Sequence, residues 1–226
     1  MIRTRYSYDR VAWCYEWVAN VYSFGGIAAV KASQIAALEP GQRVLYVGVG
    51  AGEDALLAAR HGVDLDCLDL SKAMLRRLAR RLEREALDAR LIEVDILEHT
   101  ATTPYDVVVA NFVLNVFSEQ TLVEVLRHIA CLLAPGGRLL IADFRPAGSS
   151  RMRRLLYAAY YRPINWIAWA MRLCALHPIY DYARYFDAVG LQLVERTPRP
   201  LWSNLLGSSG PHFFESMTAA QAPSPD

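Results

Sequence analysis

Three glycines at alternate positions, Gly48, Gly50 and Gly52, follow the apolar run Val44–Val47 and lead straight into a helix-like segment from Glu53. Glycine in such a turn lets the chain bend tightly and lets a ligand approach bare backbone. The helix behind the turn offers unpaired N–H groups and a partial positive charge to an anionic group. Acidic and amide side chains then recur at the ends of the following apolar runs: Asp69, Asp95, Asn111 and Asp143. Asp69 stands where a carboxylate can accept the two vicinal hydroxyls of a ribose, the plainer alternative being a turn acid or helix cap. Together these residues describe the binding of a nucleotide-type cofactor. The dinucleotide fingerprint Gly-x-Gly-x-x-Gly would place its third glycine at position 53, where this chain has Glu53.

These side chains need a sheet to hold them. Apolar runs at Arg43–Val47, Asp64–Leu68, Leu91–Val94, Asp106–Ala110 and Gly137–Ala142 alternate with helical patterns at Glu53–His61, Lys72–Ala86 and Glu119–Leu133. Such alternation implies crossover connections and a mostly parallel sheet. The expected fold is α/β and Rossmann-like, seven-stranded, with helices on both faces. Two helices, Tyr8–Tyr22 and Ile27–Leu38, precede the sheet, and Leu191–Thr197 and His212–Met217 read as closing strands. The expected organisation is one domain over 1–217. It comprises a helical cap at 1–40, a cofactor-binding core at 41–143, a helical insert at 148–189 and closing strands at 190–217. A flexible tail follows at 218–226.

The chain has 226 residues, 54% hydrophobic and 21% charged, which suits a compact fold and argues against disorder. A formal charge of +1 gives no global attraction to nucleic acid. Cys14, Cys67, Cys131 and Cys174 lie apart, without metal-ligand spacing, and read as buried free thiols. No metal site is expected. No signal-peptide core or membrane-length apolar run is apparent, so the expected location is the cytoplasm.

With these residues in hand, the chain resembles the class I S-adenosylmethionine-dependent methyltransferases from the glycine loop to Asp143, including the turn Leu133-Ala134-Pro135-Gly136-Gly137. It is more loosely similar to the ubiquinone/menaquinone C-methyltransferases, through Val11-Ala12, Tyr15-Glu16, Asn20 and Ser23-Phe24-Gly25, through Asn115-Val116, and through His177-Pro178. The resemblance implies S-adenosyl-L-methionine as cofactor, held by Tyr46, Gly48, Gly50, Gly52, Glu53, Asp69, Leu70, Asp95, Ile96 and Asn111. Two positions depart from the pattern. Tyr46 stands where the class has Asp or Glu near the cofactor's methionine end, which leaves that charge to another acid such as Glu53, itself readable as a plain first-turn helix acid. Leu114 stands where the quinone enzymes have Arg, which leaves the acceptor open.

Methyl transfer requires in-line positioning of a nucleophile in a site that excludes water. The N-terminal helix and the insert after Asp143 are the expected lids, and both are rich in Tyr and Trp. That composition favours an apolar or aromatic small molecule, quinone-, phenol- or lipid-like, over a sugar or nucleic acid. His177, Tyr15 and Asp143 are the catalytic candidates. Segment 151–176, with a basic start and tryptophans, is the candidate for peripheral membrane contact. The alternatives are other chemistry on the same cofactor, or a non-catalytic binder of the same fold.

Overall fold

The computed structural model describes Ser23, residues 25–148, 178–200 and 212–222, and, between 151 and 166, Arg151, Arg154, Leu155, Tyr157–Ala159, Arg162, Pro163 and Trp166. The order is α1 (Gly26–Ile35), β1 (Arg43–Val47), α2 (Glu53–Arg60), β2 (Asp64–Leu68), α3 (Lys72–Glu85), β3 (Arg90–Ile92) and β4 (Tyr105–Val109). Then come α4 (Glu119–Leu132), β5 (Leu133–Phe144), α5 (Ala183–Phe186), β6 (Leu191–Pro200) and β7 (His212–Gln221). One seven-stranded sheet has the order β3-β2-β1-β4-β5-β7-β6. Its first five strands are mutually parallel, and β7 runs antiparallel to both β5 and β6. The chain order reverses at β1, which pairs with β2 on one side and β4 on the other. That switch point is where open α/β sheets take ligands.

Local sequence explains the elements. Along α3, Met74, Leu75, Leu78 and Leu82 form one buried stripe, and the Ser71 hydroxyl caps the first turn by accepting from Met74 N at 3.2 Å. Ser118 caps α4 in the same way, accepting from Thr121 N at 3.3 Å. Strand residues alternate between two apolar layers. Leu45, Val47, Val108, Leu139 and Ile141 pack with Leu122, Val125, Leu126 and Ile129 of α4. Val44, Tyr46, Val107, Val109 and Leu140 pack with α2 and α3 through Ala55, Ala58 and Leu78. Truncating a fully buried leucine here, such as Leu126, costs about 2–5 kcal/mol.

Several expectations need correction. The tail does not begin at Thr218: β7 continues through Gln221, with Ala219 paired to both Leu139 and Leu193. The Gln221 amide also donates to Ala130 O at 2.8 Å. Strand β5 begins at Leu133, not Gly137, and takes up Pro135-Gly136 in a register shift between Tyr105 and Val107 of its partner β4. Strand β3 ends at Ile92 instead of Val94. Cys67 is buried as expected, but Cys131 is exposed. The helix Tyr8–Tyr22, Cys14, Cys174 and much of the insert lie outside the described residues. Among the described residues no helix is long and apolar enough to cross a membrane.

Candidate cofactor and acceptor site

The glycine loop continues β1 past its end. Gly48 N–H donates to Leu68 O at 2.8 Å, and Gly52 N–H closes the turn onto Val49 O at 2.9 Å. All three glycines have positive φ: 70° at Gly48, 51° at Gly50 and 80° at Gly52. At Gly48 space is also lacking, since a Cβ would sit 2.5 Å from Val113 Cγ2. Arg81 of α3 is half-buried and donates to Ala51 O at 3.2 Å.

Asp69 faces this loop. Its Oδ2 accepts from Gly50 N at 3.3 Å and its Oδ1 from Ser71 N at 2.8 Å, so the carboxylate is pinned between the loop and the start of α3. Leu70 beside it is 66% exposed. Asp95 Oδ1 caps the 3-10 turn Ile96–Glu98 by accepting from Leu97 N at 3.0 Å, and Ile96 is buried beneath. Gly48, Gly50, Gly52, Asp69 and Leu70 therefore meet at the carboxyl ends of β1 and β2. Asp95 and Ile96 follow β3, the neighbour of β2.

Behind the loop lies a residue that sequence reasoning missed. Asp54, in the first turn of α2, is 3% exposed and takes Lys31 Nζ of α1 at 3.2 Å and Asn111 Nδ2 at 3.0 Å. The Asn111 Oδ1 accepts from Ala142 N at 2.9 Å, which fixes both ends of its amide. Glu53, the acid expected to matter, is only half-buried. Tyr46 lies in the same layer, 2% exposed, and its hydroxyl has no hydrogen-bond partner among the described residues. Burial, and secondarily the nearby Asp54, push the Tyr46 phenol well above its ordinary range. The only sequence signal for Asp54 was its place beside Glu53; its partner Lys31 lies on another element.

Near the carboxyl end of β5, Asp143 is 2% exposed. Its Oδ1 accepts from Asn115 Nδ2 at 2.9 Å and from Phe144 N at 2.7 Å, and its Oδ2 accepts from Tyr182 Oη at 2.5 Å. Burial raises its carboxyl to about 6, against the pull of Tyr182, Phe144 N–H and Asn115. Both oxygens are engaged, so the geometry ties the α5 region to the sheet and does not present a base to the crevice. Phe112, which follows Asn111, has φ 53°, a conformation that a non-glycine residue holds only under constraint. Its ring meets Phe144 edge-on at 5.6 Å and Phe214 at 5.9 Å. Phe112 and Phe144 are half-buried, and they form an aromatic wall at the carboxyl ends of β4 and β5. Tyr157 of the insert stacks on Phe213 of that cluster at 4.7 Å. His177 and Tyr15 lie outside the described residues.

A family profile described as a methyltransferase domain matches residues 44–137, the span from β1 to the start of β5 that carries the glycine loop, Asp69, Asp95 and Asn111. Residues 44–137 thus match a methyltransferase domain of the class I kind. S-adenosylmethionine is the cofactor of that class, and the bare loop facing Asp69 fits it. An arsenite methyltransferase of Halobacterium salinarum is 33% identical over 126 residues, which cover 52% of this chain and 31% of that protein. A demethylmenaquinone methyltransferase of Thermus thermophilus is 27% identical over 162 residues, 70% of this chain and 72% of that protein. The 1,6-didemethyltoxoflavin-N1-methyltransferase of Burkholderia thailandensis, solved with 1,6-didemethyltoxoflavin and S-adenosylhomocysteine, matches with a TM-score of 0.65. At 17% identity it covers 95% of this chain and 89% of its own, a likeness of fold. The methyltransferase domain here thus spans under a third of the first relative's length.

Proposed function

We propose that the chain transfers a methyl group from S-adenosylmethionine to an apolar or aromatic small molecule. The observation that carries this reading is the Asp69 carboxylate held at 3.3 Å from Gly50 N, with the exposed Leu70 beside it. A carboxylate at that place accepts the ribose hydroxyls, Leu70 and Ile96 flank the adenine, and Asp95 takes its amino group. The glycine loop and the N-terminus of α2 admit the remainder without side-chain interference. The bound cofactor supplies an electrophilic methyl carbon on a sulfonium.

The residues of this chain then position the acceptor and exclude water. The half-buried rings of Phe112 and Phe144 support an apolar or aromatic acceptor, quinone-, phenol- or lipid-like. We assign Asp143 to positioning the α5 region through Tyr182, and keep His177 and Tyr15 as the groups that would take a proton from the acceptor. Exposed Leu155 and Trp166 among exposed Arg151, Arg154 and Arg162 support peripheral contact with a lipid surface.

Calorimetric titration with S-adenosylmethionine and S-adenosylhomocysteine, beside Asp69→Ala, tests the cofactor reading. Micromolar binding abolished in the variant is expected, followed by S-adenosylhomocysteine release with one of a panel of quinones, phenols and lipids. Absence of binding by the intact chain would sink the proposal.

A further inference from the structure

The glycine loop and Asp69 account for a nucleoside, but not for the charged polar group buried behind them. Asp54 is 3% exposed, and burying a carboxylate is unfavourable unless it is paired and hydrogen-bonded. Its pairing is drawn from two other elements: Lys31 of α1 at 3.2 Å and Asn111, after β4, at 3.0 Å. A carboxylate offers about four acceptor positions, and among the described residues Lys31 and Asn111 engage one oxygen each. In the same layer the Tyr46 hydroxyl is buried with no partner among the described residues, although buried tyrosine hydroxyls ordinarily find one. A buried ion pair, a fixed amide and an unpartnered hydroxyl thus gather where β1 gives way to the loop and α2 begins.

We propose that Lys31, Asp54 and Tyr46 form the seat for a zwitterionic amino-acid group, the methionine end of the cofactor, with Asp54 facing the ammonium and Lys31 the carboxylate. The inference rests on S-adenosylmethionine being the ligand and adds which residues read its charged end. An ion pair laid head to tail against a zwitterion complements both of its charges, and the Tyr46 hydroxyl gains the polar partner it lacks. Asn111 is the positioning residue, because its amide is clamped between Asp54 and Ala142 N. Lys31 comes from α1, so the helix preceding the sheet contributes to cofactor recognition.

The test compares two ligands that share a nucleoside and a sulfur. S-adenosylhomocysteine has the amino-acid end; 5′-methylthioadenosine does not. In calorimetry, Asp54→Asn is expected to weaken S-adenosylhomocysteine about tenfold or more, the scale of one charge-assisted hydrogen bond. Methylthioadenosine affinity should change less than about twofold on the same scale. Tyr46→Phe, which keeps the ring and its packing, should weaken S-adenosylhomocysteine by a few-fold and again spare methylthioadenosine. Equal losses for both ligands in both variants would mean that the cluster only supports the fold, and the proposal falls. Unchanged binding in both variants overturns it as well, while leaving the cofactor reading intact. If the intact chain binds neither ligand, the cofactor reading and this inference fall together.

Discussion

The Tyr105 hydroxyl donates to Asp66 Oδ2 at 2.6 Å, near the amino ends of the parallel strands and away from the glycine loop. A phenol has one proton, so His99 Nε2, 3.1 Å from the same oxygen, must be the donor in that second bond. Arg43 adds a contact to Asp66 at 3.4 Å and lies over the Tyr105 ring. Tyr105→Phe leaves a buried carboxylate and a buried imidazole each short of a partner, costing about 1–3 kcal/mol. Urea denaturation should show that loss, with S-adenosylhomocysteine affinity unchanged. A loss of affinity without a loss of stability would contradict the separation of this network from the site.

Gly48 predicts a two-part penalty. Gly48→Ala places a methyl 2.5 Å from Val113 Cγ2 at a φ of 70°. The left-handed backbone costs about 1–2 kcal/mol, and the overpacking about 1–3 kcal/mol more. Adding Val113→Ala removes the Cγ2 contact but keeps Val113 Cβ at 2.9 Å, so it should recover part of the packing penalty and none of the backbone part. Thermal denaturation of the single and double variants reads the difference, and no recovery would show that the Val113 Cγ2 contact is not what destabilises the variant.

The loop and the parallel core were legible because each rests on local pattern. A short apolar run such as Val44–Val47, bounded by glycines and alternating with helical patterns, reads as a buried strand, and glycines at its end leave bare backbone that a ligand can approach. What escaped was set by partners distant in sequence. Thr218 to Ala220 are small and read as loose, yet they lie between two strands that pair with them on both sides. Pro135-Gly136 reads as a turn, and only the register shift against β4 admits it to a strand. Asp54 looks like any first-turn acid until α1 brings Lys31 to it. Asp143, at a strand end facing the expected crevice, looked like a base; Asn115 and Tyr182 occupy it instead.

Asp143 carries a pH prediction. Its folded value, about 6, lies above its ordinary 3.8, so the folded chain holds that proton more tightly than the unfolded one. Stability from this group is therefore fully present below about pH 4 and is lost as pH rises through about 6. Asp143→Asn has no such titration. The melting temperature of the wild type minus that of the variant should fall between about pH 4 and 7 and be flat above. A difference that stays constant across that range would count against a buried, strained carboxylate.

Strand β7 gives a direct check on where the sheet stops. A chain truncated after Met217 loses the residues that pair Thr218, Ala219 and Ala220 to β5 and β6. The loss of those ladder bonds should cost on the order of 3–5 kcal/mol, visible in the urea midpoint. A midpoint equal to that of the intact chain would restore the view of 218–221 as a tail.

The sheet order also bears on how the chain is made. Among the described residues β6 pairs only with β7, and β7 lies between β6 and β5, yet β7 is synthesised after both. A nascent chain that has emerged as far as β6 has five parallel strands assembled, an open edge along β5 and a sixth strand with nothing to join. Insertion of β7 closes both at once. Until then the aromatic wall of Phe112 and Phe144 lacks Phe214, and the unfinished sheet is the state on which a chaperone would act and from which aggregation would start.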